Sequence, residues 1–211
     1  MGLLGAVLTR CGLAKAESLS CGPTPHQIEG PFYPVDRLLG NDNDLTYVKD
    51  RPGRAEGELI YVRGQVLDEN CTPVSGVLVD IWQANAHGRY NHPADANNSV
   101  PIDPNFQGAG QTVTDKEGKY LFKSILPGSY PVDDTWTRPS HIHFKVNKRG
   151  FNELITQMYF EGNKFNATDS LLSRVPDAEK PKLVIKSAAP EIGFDHNSKL
   201  YTFNLTLTRV G

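Results

Sequence analysis

Ile60, Val62, Gly64 and Val66 alternate with Tyr61, Arg63, Gln65 and Leu67. A period of two predicts a half-buried β-strand. After a turn at Asp68-Glu69-Asn70, the run Val77 to Trp82 reads as a second strand. Asp115-Lys116-Glu117-Gly118 is a tight connection into Lys119-Tyr120-Leu121-Phe122. His141–Val146, Leu154–Phe160, Lys182–Lys186 and Leu200–Leu207 complete the predicted strands, and only Asp169–Arg174 reads as a short helix. Many short strands joined by glycine and proline turns predict an all-β sandwich. The stretches 83–111 and 161–181 are too polar for a core and read as long loops, which in a compact domain usually carry function. Residues 21–57 hold few periodic segments and many turn residues, so they are expected to wrap the core as an extended arm.

Composition narrows the picture modestly. The chain has 211 residues, enough for one domain with a real core, and 22 Lys+Arg against 24 Asp+Glu. No basic stripe favours nucleic acid, and no apolar run approaches the roughly 20 residues that span a membrane. Residues 1–16 differ from the rest: Leu3–Leu8 is a short apolar run, and Ala14-Lys15-Ala16 has the form of a signal peptidase site, but a basic lead-in is missing. Two readings stay open, the tail of an export signal or a weakly docked N-terminus. The first implies a periplasmic or secreted protein, the second a cytoplasmic one. Residues 17–211 are then read as a single domain. Without the leader, Cys21 and Cys71 remain, which could pair in an oxidising compartment. Two separate buried thiols are the favoured expectation, because sequence supplies no geometry for a bond.

Chemistry concentrates in Arg138-Pro139-Ser140-His141-Ile142-His143-Phe144. Residues i and i+2 of a strand share a face, so His141 and His143 aim at one spot, as a metal ion requires. Tyr130 lies in Gly128-Ser129-Tyr130-Pro131 and Tyr90 in Gly88-Arg89-Tyr90. A phenol with its usual pKa near 10 binds metals poorly at pH 7. A strongly Lewis-acidic ion such as Fe(III) can displace the proton and hold the phenolate. Taken singly, each of these residues has an ordinary alternative: spare histidines on a strand, packed tyrosines, an ion-paired arginine.

The ordered set closely resembles the intradiol ring-cleavage dioxygenases, the family of protocatechuate 3,4-dioxygenase and catechol 1,2-dioxygenase. The resemblance covers most of residues 23–208. It rests on the motifs above with Thr24–Pro34, Asp80-Ile81-Trp82-Gln83-Ala84-Asn85 and Leu154–Phe160. It implies a prealbumin-like sandwich in which Tyr90, Tyr130, His141 and His143 bind a non-haem Fe(III). Tyr130 then matches the phenolate that leaves the metal on substrate binding, and Tyr90 the one that stays. Arg138 matches a residue that stabilises charge on the substrate ring, and Gln157 its polar partner. Trp82, Asn85 and Glu29 match the motifs but look structural. His26, His87, His92 and His196 match no ligand position. The implied reaction opens a catechol-type diol between its hydroxyls with O2, giving a muconate-type dicarboxylate without nicotinamide or flavin.

The short, non-helical region before the first strand resembles the protocatechuate-type subunits more than the catechol enzymes. Val132 stands where those subunits often carry an aromatic residue, which counts against protocatechuate itself as substrate. A homo-oligomer of looser specificity is expected, a hetero-oligomer with a related subunit being the alternative. Two other functions compete: a non-catalytic sandwich that binds carbohydrate or protein, and a two-histidine zinc hydrolase, for which no third ligand has convincing spacing.

Overall fold

The computed structural model describes residues 21–35 and 42–211, so the expected leader at 1–16 lies outside the described residues. Two five-stranded sheets pack face to face, as the alternating pattern predicts. In the first, β1 (Leu59–Asp68) is the organising strand. It pairs antiparallel with β4 (Lys119–Ile125) and parallel with β11 (Lys199–Thr202) and β12 (Leu205–Leu207), while β10 (Ser187–Ala188) extends from β11. The second runs in the order β3 (Ala109–Val113), β2 (Leu78–Trp82), β7 (His141–Asn147), β8 (Leu154–Phe160), β9 (Val184–Ile185). A separate hairpin joins β5 (Tyr130–Pro131) to β6 (Thr137–Arg138).

The core lies between the sheets. Ile60, Val62 and Phe122 of the first sheet and Ile81, Ile142, Phe144 and Met158 of the second are all fully buried. Phe144 meets Phe203 edge-on with ring centroids 4.9 Å apart. Each such side chain contributes roughly 1.5–3 kcal/mol by leaving water.

Several boundaries differ from the sequence pattern. Leu200–Leu207 is two strands, interrupted at Phe203 and Asn204, whose Oδ1 accepts the Gln65 amide. The stretch 83–111 is not wholly loop, because β3 begins within it at Ala109 and a 3-10 turn forms at Pro93–Asp95. Lys182–Lys186 contributes only β9, after a 3-10 turn at Lys180–Lys182. The expected helix at Asp169–Arg174 is a single 3-10 turn, Leu172–Arg174.

The arm of residues 21–35 has no regular element, yet it is tied down throughout. Thr24 N donates to Thr206 O (3.2 Å) and Gln27 N to Ile155 O (2.8 Å). The favoured expectation of two separate thiols is corrected: Cys21 and Cys71 form a disulfide. Cys21 N donates to Glu69 O, which brings the arm beside the turn carrying Cys71, and the two Cα atoms lie 5.1 Å apart, within bonding reach. Pairing between residues this distant in the chain has no local sequence signal. Among the described residues, no helix is long and apolar enough to cross a membrane.

Candidate active site

Strand periodicity sorts β7 into two sets. Ile142, Phe144 and Val146 enter the core, while His141, His143 and Lys145 face away from it. That outer face would ordinarily be wet. Here the arm covers it, and both histidines are only 2% exposed. Lys145 Nζ bonds Glu29 Oε2 (2.8 Å), Tyr159 donates to Gln27 Oε1 (3.0 Å), and Gln157 Nε2 donates to Ile28 O (2.9 Å). Glu29 thus ties the arm to β7 over the outer face.

Across the sheet, Trp82 and Gln157 flank His143, and Tyr159 flanks His141. The Trp82 indole stacks on the His143 ring at 4.7 Å and 9°, which fixes the imidazole plane. The Pro139 carbonyl can only accept, so His141 Nδ1, 2.7 Å away, is its donor. Nε2 is then left with a free lone pair, 3.4 Å from the Tyr90 hydroxyl.

The tyrosines arrive on two loops that share a backbone seam. Asn85 organises both: its Oδ1 accepts from the amides of His87 (2.9 Å) and Arg89 (3.0 Å), and its carbonyl accepts from Gly88 (3.1 Å) and Gly128 (2.9 Å). A Cβ on Gly128 would lie 2.6 Å from Ala86 O, and one on Gly88, which has φ +86°, 2.6 Å from Ser129 O. Backbone cannot yield as a flexible side chain can. Gly128→Ala is therefore expected to destabilise the fold by about 1–3 kcal/mol, read as a lowered midpoint in urea. An unchanged midpoint would mean that the loops do not touch.

Tyr90 is 3% exposed and stacks on Phe32, ring centroids 4.3 Å apart. Tyr130 is half-buried and pairs across the β5–β6 hairpin with Arg138. The four rings converge: centroid separations are 5.6 Å for Tyr90–Tyr130, 5.8 Å for Tyr130–His141, 4.9 Å for His141–His143 and 6.3 Å for Tyr90–His143. Beside them opens a cavity of about 630 Å³ lined by Ile28, Phe32, Tyr130, Val132, Arg138 and His143, among others. That volume suits a small organic ligand.

Electrostatics follow from burial. Desolvation, then the Arg138 charge, then His143 hold His141 well below the usual imidazole range. Burial and Arg138 bring His143 down to about 3. Both imidazoles are neutral at pH 7 with lone pairs to offer. Nδ1 of His143 is buried and faces the Ile28 carbonyl, which also accepts from Gln157 and slightly offsets the downward shift. Burial also pushes both phenols up, Tyr90 furthest, with Tyr130 adding to the effect. Burial alone would lower the Arg138 guanidinium, but Tyr159, Tyr130 and Asp169 around it hold it above its ordinary value.

Every side chain singled out from the sequence as a site residue lies here. Arg138 Nη2 donates to Gln157 Oε1 at 2.6 Å. His87 is exposed at the cavity rim and pairs with Glu56, while His92 Nδ1 accepts the Ala94 amide. His26 and His196 are exposed and take no part in this cluster. Sequence reasoning passed over Tyr159, which strand period two from Gln157 could have found. It also passed over Asp169, Trp136 and Phe32, which arrive from irregular segments with no period to reveal them.

A sandwich with this pocket falls among the dioxygenases: the family model described as Dioxygenase matches residues 28–209. The chain belongs to the intradiol ring-cleavage dioxygenase family. It is 44% identical over 158 residues to the protocatechuate 3,4-dioxygenase beta chain of Burkholderia cepacia, covering 73% of this chain and 66% of that one. Over 209 residues it is 31% identical to catechol 1,2-dioxygenase 2 of Acinetobacter lwoffii, covering 86% and 72%. Among solved structures, the dioxygenase domain of a dioxygenase carbohydrate-binding protein fusion from Streptomyces sp. SirexAA-E is 28% identical, with a TM-score of 0.65 over 89% of this chain and 99% of that one. The chain spans about half to three quarters of the length of the curated relatives it matches.

Proposed function

We propose that residues 17–211 form one catalytic domain that cleaves a catechol-type ortho-diol between its hydroxyls, using O2 and a non-haem Fe(III) held by Tyr90, Tyr130, His141 and His143. The observation that carries this reading is the convergence of two neutral imidazoles and two phenols beside one cavity. The donor set fits a ferric ion. Among the described residues no group of three His, Cys, Asp or Glu is placed to hold a metal, so an ion here must draw on the tyrosines. That argues against a zinc hydrolase, since zinc sites are built from His, Cys and carboxylates. Buried phenols this reluctant to ionise need a hard, highly charged cation to displace their protons.

When bound, ferric iron would supply a Lewis-acidic centre that takes the diol as its dianion and opens the ring to attack by O2. The chain's residues do the rest. Tyr130, at the cavity wall, would help hold the ion and is placed to accept a diol proton at its oxygen, while Tyr90, stacked on Phe32, would hold the ion from behind. Arg138 faces the cavity and stabilises negative charge developing on the ring, with Gln157 fixing its guanidinium plane. The arm covers the histidines, and Ile28, Phe32 and Val132 give the cavity an apolar side against which a ring can rest. A non-catalytic binding module has no use for two buried, neutral imidazoles facing two phenols.

The test is oxygen uptake by the iron-loaded protein against catechol, protocatechuate, hydroxyquinol and alkylated or chlorinated catechols. A muconate-type product and a reddish protein, coloured by phenolate-to-iron charge transfer, are expected. Products cleaved beside the hydroxyls, or no uptake with any diol, would overturn the reading.

A further inference from the structure

Asp169 is fully buried and lies outside the predicted ligand set, yet it accepts four hydrogen bonds. Oδ2 takes Arg138 Nε at 2.8 Å and Trp136 Nε1 at 3.2 Å. Oδ1 takes the amides of Leu171 (3.1 Å) and Leu172 (2.8 Å). Arg138 is thus gripped at two points of its fork, Nε by Asp169 and Nη2 by Gln157 (2.6 Å) and Tyr159 (3.3 Å). Among the described residues nothing accepts from Nη1, and Arg138, Trp136 and Leu171 all line the cavity. The Trp136 ring lies 5.8 Å from the guanidinium carbon.

We infer that Asp169 is a positioning residue of the site: it sets the plane of Arg138 so that the Nη1 edge faces the bound diol, and it holds Trp136 and Leu171 as cavity walls. For the reaction itself this rests on the proposed function; the geometric claim does not. A guanidinium is a rigid planar donor, so fixing Nε and Nη2 fixes the direction of the remaining N–H bonds. The carboxylate also balances the charge of an arginine that is only 4% exposed, and a charge so buried requires a partner. In Asp169→Asn the amide oxygen can still serve the leucine amides, but the amide nitrogen then meets the Arg138 and Trp136 donors, and the guanidinium must turn.

The experiment compares wild type with Asp169→Asn. Iron content and visible colour are expected to be unchanged, because no ligand is touched, while kcat falls roughly 10- to 100-fold and KM changes much less. In the metal-free protein, the Arg138 Nε–H resonance, assigned by its loss in Arg138→Lys, is expected to exchange slowly with water and to exchange at least tenfold faster in Asp169→Asn. Retained kcat, an unmoved exchange rate, or loss of iron along with activity would each overturn the proposal. Should Asp169→Asn not fold, Arg138→Met and Arg138→Met/Asp169→Asn decide the matter, since the double variant leaves no unpaired buried charge. Equal kcat in these two is expected, and a further tenfold loss in the double variant would contradict an action through Arg138. If wild type consumes no oxygen with any diol, the proposed function fails, while the exchange measurement still judges Asp169.

Discussion

Tyr90→Phe is expected to lose about 10³-fold in kcat/KM for ring cleavage, equivalent to roughly 4 kcal/mol of transition-state stabilisation, with its fold intact. The substitution removes one oxygen and keeps the ring, so the stack on Phe32 survives. That hydroxyl meets only His141 Nε2, 3.4 Å away, and the Tyr130 hydroxyl, so its loss disturbs the cluster of four rings and not the core. A thermal midpoint within a few degrees of wild type should therefore accompany a lost or shifted visible band. Tyr130→Phe, at the exposed edge of the same cluster, should also alter the colour. If both variants kept the wild-type spectrum and full iron, the tyrosines would not be ligands.

Replacing both Cys21 and Cys71 by serine is expected to cost roughly 4 kcal/mol, because the bond closes a loop between positions 50 residues apart and its loss frees the unfolded chain. For a domain of this size that corresponds to a fall in Tm of about 8–16 °C. The arm beyond Cys21 carries Ile28 and Phe32 into the cavity wall, so KM for the diol should rise as well. A Tm within 2 °C of wild type, or no response to reductant, would show that the bond contributes nothing to the native protein.

The sandwich was legible because its strands obey a local rule: side chains two apart share a face, and β1 and β7 keep that rule throughout. The same rule made His141 and His143 readable as a pair. Tyr90 and Tyr130 were not readable this way. Tyr90 sits on a loop and Tyr130 in the two-residue β5, too short to show a period, and only their resemblance to a family placed them with the histidines; the contact of Gly128 with Gly88 that joins them arises in three dimensions. Asp169 shows the limit most clearly. Its position suggested a helix start, and it does bind the amides of Leu171 and Leu172, but its other oxygen reaches an arginine 31 positions earlier. The disulfide failed for a related reason, since nothing near Cys21 in the chain specifies the turn at Cys71.

Because β7 gives alternate side chains to opposite sides, the interior and the reaction chamber are read from one segment in two interleaved frames. Deleting a single residue within β7 would exchange them for the positions on one side of the deletion, sending side chains of one frame to the face of the other. Substitutions in one frame, by contrast, leave the other undisturbed. New diol preferences should therefore be attainable by altering the cavity walls without renegotiating how the sandwich holds together.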